Sequence, residues 1–100
     1  MNIIELNISK IVELCKKYKV HTLCVFGSIL TDKFNENSDV DLLVNFDKDI
    51  TYHTYSDNYF GFLDALKSLF GREVDLVDES AIRNKYFKEE LDETKRLIYG

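Results

Sequence analysis

The sequence has 100 residues with a formal net charge of −5 at pH 7, and 45% of its residues are hydrophobic. This composition predicts one folded domain, residues 1–100, and excludes a disordered chain. An acidic chain lacks the basic surface that nucleic-acid phosphates require, so direct DNA or RNA binding is not expected.

No apolar run approaches the ~20 residues of a membrane span and no secretion signal is present, so we expect a cytoplasmic protein without membrane contact. Cys15 and Cys24 lie in apolar patterns, which predicts buried, reduced thiols.

The first half of the chain is predicted to form a helix and two strands. Apolar residues recur at helical spacing after Asn7 or Ser9, either of which can cap a helix. The next apolar run is almost unbroken and predicts a strand buried on both faces, whereas the following run alternates between polar and apolar residues. The predicted elements are a helix from Ile8 to about Lys19, a strand over His21–Phe26, one or two helical turns over Ser28–Phe34, a turn over Asn35–Ser38 and a strand over Ser38–Phe46.

The second half is predicted to contain a loop, a helix, a strand and a closing helix. Its first segment is polar and contains Tyr52 and Tyr55. These two tyrosines, together with Tyr59 beyond the segment, are candidates for an adenine or partner site, although Tyr59 also fits the apolar stripe of the following helix. An apolar stripe at helical spacing then ends at Gly71, a residue suited to a helix C-terminus. The predicted elements are a loop over Asp47–Asp57, a helix over Asn58–Phe70, a strand over Glu73–Val77 and a helix from Ser80 to about Tyr99. This order predicts an α+β (mixed α/β) fold with helices flanking a small mixed sheet.

A glycine–serine pair directly follows the first predicted strand. Gly27 allows the backbone to turn tightly and to approach a ligand closely. Ser28 then offers a hydroxyl and a backbone N–H where a short helical segment can begin, which is a suitable place for a phosphate group. The sequence therefore predicts a phosphate-binding turn at Gly27–Ser28.

Three aspartates lie at the beginnings of the second and third strands. Asp39 and Asp41 share one face of their strand, and Asp75 has the equivalent place on the next one. If these strands are neighbours, each pair of carboxylates at 4 Å repels by roughly 4 kcal/mol at an effective dielectric constant near 20. A divalent cation cancels this repulsion, and oxygen ligands alone favour Mg²⁺ or Mn²⁺ over Zn²⁺.

The sequence Gly27-Ser28, followed after ten residues by Asp39-Val40-Asp41, resembles the signature of the DNA polymerase beta-like nucleotidyltransferase superfamily. The resemblance is strongest to the minimal nucleotidyltransferases (MNT), often the antitoxin half of HEPN–MNT toxin–antitoxin pairs, and it extends over nearly the whole chain. It implies the polymerase beta-like fold, binding of ATP with two Mg²⁺ ions, and transfer of the nucleoside monophosphate to an acceptor hydroxyl with release of pyrophosphate. In the antitoxin branch, it implies that AMP is placed on a tyrosine of the partner HEPN toxin.

The resemblance also implies roles for individual residues. Gly27 and Ser28 would hold the outgoing phosphates, and Asp39 and Asp41 would bind both metal ions. Asp75 would bind the metal ion nearer the acceptor and help to deprotonate its hydroxyl. These roles agree with the general requirement of phosphoryl-type transfer for positioning and charge cancellation.

The chain departs from the family pattern directly after the glycine–serine pair. Family members usually continue with a run containing Ala-Arg-Gly, whose arginine contacts the triphosphate, whereas this chain has Leu30, Thr31 and Asp32. Lys33 or Arg72 are candidates to replace the missing arginine, although a lysine cannot form its bidentate contacts. One alternative is therefore an antitoxin that neutralises a HEPN toxin by binding alone. A second alternative, independent of the missing arginine, is a nucleotidyltransferase acting on a small molecule such as an antibiotic.

Overall fold

A computed structural model of the protein describes residues 2–100. Within these residues a mixed sheet is flanked by helices, as predicted. The helices are α1 (Asn2–Leu6), α2 (Ile8–Lys17), α3 (Tyr52–Phe70) and α4 (Lys85–Thr94), and the strands are β1 (Val20–Phe26), β2 (Val40–Phe46), β3 (Val74–Asp78) and β4 (Arg96–Tyr99). Within the described part of the chain, no helix is long and apolar enough to cross a membrane.

The sheet has the strand order β3-β2-β1-β4. Strand β1 runs antiparallel to both of its neighbours, whereas β2 and β3 are parallel. Helices α2 and α3 cover one face of the sheet, where the largest core cluster includes Ile11, Leu42 and Phe62. Helix α4 covers part of the other face through Leu91, which is 2% exposed and packs with Leu43. The open part of this second face is where β2 and β3 begin.

The N-terminal segments differ in detail from the prediction. A separate short helix, α1, precedes α2, and the Asn7 side chain at their junction donates a hydrogen bond to the carbonyl oxygen of Ile3 (2.8 Å). The turns predicted over Ser28–Phe34 are limited to a 3₁₀ turn over Gly27–Leu30. Both cysteines are buried and free, as predicted.

The prediction of a loop over Asp47–Asp57 is wrong for its second half, because α3 already begins at Tyr52. Thr51 caps the helix: its side chain accepts a hydrogen bond from the backbone N–H of Thr54 (3.3 Å). Tyr52 in the first turn is 92% exposed. This turn therefore shows no apolar stripe, which is the signal on which the sequence-based helix boundary depended.

The predicted continuous helix from Ser80 to Tyr99 is also wrong. The chain forms a 3₁₀ turn over Glu79–Ala81, then α4, and finally β4 along the free edge of β1. Asn84 begins α4 because its side chain accepts hydrogen bonds from two backbone N–H groups, as a good N-cap residue does. Tyr86, in the first turn of α4, is 77% exposed.

Candidate active site

The turn at Gly27 connects β1 to the open part of the sheet. Gly27 has a φ of +79°, a left-handed conformation in which a side chain is strained. Thr31 closes the turn through its N–H and its hydroxyl, which lie 2.9 and 2.8 Å from the carbonyl oxygen of Ser28. The Ser28 hydroxyl forms no hydrogen bond with any described residue, so it can bind a ligand oxygen.

The predicted carboxylates come together because of the sheet register. Asp41 pairs with Asp75 across the parallel strands β2 and β3, and with Phe26 across the antiparallel strands β1 and β2. Residues paired in this way point to the same face of a sheet. Asp39, two residues before Asp41, belongs to that face as well. Asp41 is half-buried, whereas Asp39 and Asp75 are exposed at the mouth of the site.

The glycine turn and the carboxylates are in direct contact. A Cβ atom added to Gly27 would collide with Oδ2 of Asp41 and would lie 3.0 Å from its Cγ atom. The absence of a side chain at Gly27 is therefore what allows the Asp41 carboxylate to lie beside the turn. The two sequence motifs thus form a single site.

The site is electrostatically suited to cations. Burial raises the pKa of the Asp41 carboxyl, and the nearby charges of Asp75 and Asp39 raise it further. Among residues 2–100, no three or more His, Cys, Asp or Glu side chains are arranged to hold a metal ion by themselves. Mg²⁺, however, is usually bound by one or two carboxylates together with water and substrate phosphates. These oxygen donors therefore fit a metal ion that arrives with a nucleotide.

Arg72 supports the turn that leads into Asp39. Its guanidinium donates hydrogen bonds to the carbonyl oxygens of Asn35 (3.0 Å) and Ser38 (2.9 Å) and stacks over the ring of Phe34. Arg72 is thus occupied in positioning the start of β2 instead of facing a nucleotide. No pattern in the sequence distinguishes this role, because the contact joins residues far apart in the chain.

Two of the tyrosines suggested for a ligand site bind the protein itself. The Tyr59 hydroxyl donates a hydrogen bond to the carbonyl oxygen of Leu76, and the Tyr55 hydroxyl donates one to the Asp78 carboxylate. Burial and the bond to Asp78 raise the pKa of Tyr55 above its ordinary value. These contacts attach α3 to β3 on the face opposite the carboxylates.

Comparison with known proteins shows which proteins this chain is similar to. Residues 9–100 match the family described as polymerase beta, nucleotidyltransferase. MJ1379 of Methanocaldococcus jannaschii, named as a candidate protein adenylyltransferase, is 36% identical over 83 residues, which cover 83% of this chain and 79% of that protein. MJ0128 of the same organism, named in the same way, is 40% identical over 84 residues, which cover 84% of this chain and 80% of that protein.

Solved structures share the fold. A candidate minimal nucleotidyltransferase superposes with a TM-score of 0.76 at 26% identity, covering 93% of this chain and 90% of that chain. A toxin–antitoxin complex with AMP-PNP contains a chain that superposes with a TM-score of 0.72 at 22% identity, covering 94% of this chain and 73% of that chain. A complex of a tri-AMPylated Shewanella oneidensis HEPN toxin with an MNT antitoxin contains a chain with a TM-score of 0.66 at 20% identity, covering 96% of this chain and 71% of that chain. At these lower identities the likeness concerns the fold.

Proposed function

The chain belongs to the polymerase beta nucleotidyltransferase family and is a nucleotidyltransferase, and we propose that it transfers AMP from ATP to a hydroxyl of a partner protein. The observation that carries this proposal is the register that sets Asp41 beside Asp75 at an open end of the sheet, in contact with the Gly27 turn. The similarity to relatives named as candidate protein adenylyltransferases supports AMP and a protein as donor group and acceptor.

Asp39, Asp41 and Asp75 are the residues that would hold Mg²⁺, or Mn²⁺ in its place, with two ions expected at the site. When bound, the ions would neutralise negative charge on the phosphates and favour the ionised form of the acceptor hydroxyl. Gly27 and Ser28 would hold the β- and γ-phosphates through backbone N–H groups and the free Ser28 hydroxyl.

In the proposed reaction, the acceptor oxygen forms a bond to the α-phosphorus of ATP. The bond between the α-phosphorus and the oxygen that bridges to the β-phosphorus breaks, and pyrophosphate leaves. Asp75 is exposed beside Asp41, so its carboxylate can accept the hydroxyl proton and release it to water. The Gly27–Ser28 turn orients the leaving pyrophosphate, and such positioning accounts for a large share of catalysis in phosphoryl-type transfer.

The proposed acceptor is a tyrosine of a HEPN-type toxin, for which this chain would be the antitoxin. The support is the shared fold with chains of toxin–antitoxin complexes, one containing AMP-PNP and one a tri-AMPylated HEPN toxin. Residues 1–100 would act as a single nucleotidyltransferase domain, without direct contact to nucleic acid.

The test uses the protein encoded by the neighbouring gene as the candidate partner, Mg²⁺, and ATP labelled at either the α- or the γ-phosphate. We expect the partner to acquire label from the α-position alone, and mass spectrometry to locate AMP on a tyrosine. Asp41→Asn should reduce transfer by about 100-fold or more, since it removes charge at the reacting phosphate. Asp64→Asn, the same change at an exposed position on α3, should leave transfer unchanged.

Each other outcome has a defined meaning. Tight binding of the partner without transfer of label would replace the enzymatic proposal with neutralisation by binding alone. Label on a small hydroxyl compound such as an aminoglycoside, and none on the protein, would identify a small-molecule nucleotidyltransferase. Label from the γ-position would indicate a kinase and contradict AMP transfer.

A further inference from the structure

The two edges of the sheet differ in their protection against pairing with a further strand. Strand β3 forms one edge and β4 forms the other. Glu73, Asp75 and Asp78 place acidic side chains in or next to β3, so two copies of this edge would repel each other. Strand β4 has the sequence Arg-Leu-Ile-Tyr, with a single charge and no proline. The β4 edge therefore lacks most of the features that keep edge strands from pairing.

Apolar side chains are exposed along the free edge of β4. A groove of about 260 Å³ lies between α1, the start of α2 and β4, and we refer to it as the edge groove. Its lining includes Leu97, which is 63% exposed, and Ile8, which is 41% exposed. Ile4 and Ile98 contribute further apolar surface to it. The edge thus combines apolar contact area with unpaired backbone N–H and C=O groups, the two features that a docking strand uses.

Two side chains of opposite charge lie at the same edge. Glu5 of α1 lines the edge groove and is exposed. Arg96, the first residue of β4, is exposed as well. Neither side chain forms an ion pair within residues 2–100. One free acidic group and one free basic group on a single edge make that edge electrostatically complementary to a second copy of itself.

We propose that β4 pairs antiparallel with β4 of a second copy of this chain, which joins two four-stranded sheets into one continuous sheet. The two copies are related by a two-fold axis perpendicular to the sheet, as in most homodimers with a single interface. Such an axis keeps each face of the sheet continuous, so it must pass through a residue that lies opposite its own copy. Placing the axis at Leu97 buries the two exposed leucine side chains against each other and sets Arg96 opposite Ile98 of the second copy.

The faces of the strand residues bring the opposite charges together across this axis. Arg96 pairs with Val25 of β1, whose side chain belongs to the core cluster beneath α2 and α3. Ile98 packs against the same cluster, and Glu5 lines the edge groove beside it. Arg96 of one copy therefore lies on the same face as Glu5 of the other copy and next to it. The two-fold axis produces this ion pair twice.

The proposed dimer is small in contact area and leaves the candidate active sites open. One short strand and the side chains beside it bury less than the about 800 Å² per partner of a standard interface, which predicts a dissociation constant in the micromolar range. Asp41 lies on β2, two strands from β4. Five strand spacings of about 4.8 Å therefore separate the two Asp41 residues by at least roughly 24 Å. Dimer formation does not depend on the proposed nucleotidyl transfer.

Sedimentation velocity of the full chain tests the proposal directly. Over concentrations from about 1 to 500 μM, we expect the wild type to pass from monomer to dimer. Leu97→Lys places two like charges at the two-fold axis and should raise the dissociation constant by about 10-fold or more. Phe60→Lys is the matched control, because Phe60 is 59% exposed but belongs to α3 instead of this edge. It should leave the dissociation constant unchanged.

Charge reversals test the arrangement of the two copies. Arg96→Glu alone and Glu5→Arg alone should each raise the dissociation constant by about 3- to 10-fold, because each places like charges next to each other at two symmetric positions. The double variant restores opposite charges across the interface and should recover the wild-type dissociation constant.

Three results would overturn the inference. The first is a wild type that stays monomeric over the whole concentration range, and the second is a dimer that Leu97→Lys does not weaken. The third is a double variant that dimerises no better than the two single charge reversals. Circular dichroism establishes that each variant is folded, and Leu97→Ser repeats the comparison if Leu97→Lys does not fold.

Discussion

The Asp41 carboxylate lies against Gly27, in the space where any other residue would place its Cβ atom. Gly27 is therefore required for two separate reasons. Its φ of +79° is strained for residues with a side chain, and its missing side chain leaves room for a half-buried carboxylate. A substitution at Gly27 should thus affect both the stability of the turn and the position of an aspartate on another strand.

Replacing Gly27 by alanine tests this double role. The left-handed conformation should cost about 1–2 kcal/mol of the free energy of unfolding, measured by urea denaturation. The added methyl group should also displace Asp41, and a displacement of about 1 Å at a reacting group can reduce the rate by about 100-fold.

Gly71→Ala is the control for Gly27→Ala. Gly71 also has a positive φ, +65°, but open space surrounds the position of its Cβ atom. It should lose similar stability and keep full transfer activity. Equal losses of transfer activity in the two variants would mean that backbone strain alone explains the loss, and that the contact between Gly27 and Asp41 does not contribute to activity.

Asp41→Asn should stabilise the metal-free protein at neutral pH. Burial, Asp75 and Asp39 raise the pKa of Asp41 from 3.8, so the folded state favours the protonated form and the ionised form costs stability. This cost appears as the pH rises through the raised pKa and is absent well below 3.8. The variant should therefore be the more stable protein at pH 7, with a difference that disappears in acid.

Urea unfolding at several pH values, without divalent cations, measures this difference. Adding Mg²⁺ should stabilise the wild type more than Asp41→Asn, because a ligand stabilises the state that binds it. Asp64→Asn, at an exposed site on α3, should unfold like the wild type throughout. A less stable Asp41→Asn at pH 7 would show that this carboxylate is held by favourable contacts and is not strained by its neighbours.

Glu79 attaches α4 to the sheet and should make the protein sensitive to acid. Its Oε2 atom lies 2.7 Å from Lys88 and 3.1 Å from Lys95, and its Oε1 atom accepts a hydrogen bond from Asn45. The bond to Lys88, with smaller contributions from Asn45 and Lys95, lowers the pKa of Glu79 from 4.5 to about 2. Its stabilisation is thus complete above pH 4.5 and is lost as the pH falls towards 2.

Glu79→Gln should reduce the free energy of unfolding at pH 7 by about 1–3 kcal/mol. The difference from the wild type should shrink between pH 4.5 and 2, as the wild-type carboxylate is protonated. Glu73→Gln is the control, since the Glu73 side chain is 75% exposed in its pair with Lys67, and such surface pairs contribute less than about 1 kcal/mol. A pH-independent difference would assign the effect of Glu79→Gln to packing.

The sequence was most informative where local chemistry and tertiary structure agree. Alternation over Ser38–Phe46 and Glu73–Val77 predicts both strands, and it places Asp39 and Asp41 on one face of the first strand and Asp75 in the equivalent place on the second. The structure adds the pairing that brings the three together. The left-handed Gly71 at the end of α3 was likewise predictable, since glycine is favoured at a helix C-terminus. These features depend on residues close together in the chain.

The errors lie where a distant partner decides the local structure. Residues from Arg96 to Tyr99 continue the helical pattern of α4, yet they pair with the free edge of β1 and form a strand. Asn84, a favourable N-cap residue, was a local sign that a helix begins after it. The role of Arg72 likewise depends on contacts with Asn35 and Ser38, far from it in the chain, so composition and periodicity could not identify it.

The residue-for-residue pairing of β2 with β3 makes the acidic cluster depend on register in an all-or-none way. A slip of one residue would turn Asp75 to the opposite side, into the layer occupied by α3, and would leave Asp41 without its counterpart. No intermediate register keeps the cluster partly formed, because side chains alternate strictly along a strand and each one-residue shift moves them to the other face. Mutations in the apolar residues of β3 should therefore either spare the cluster or abolish it, whatever their distance from the nucleotide.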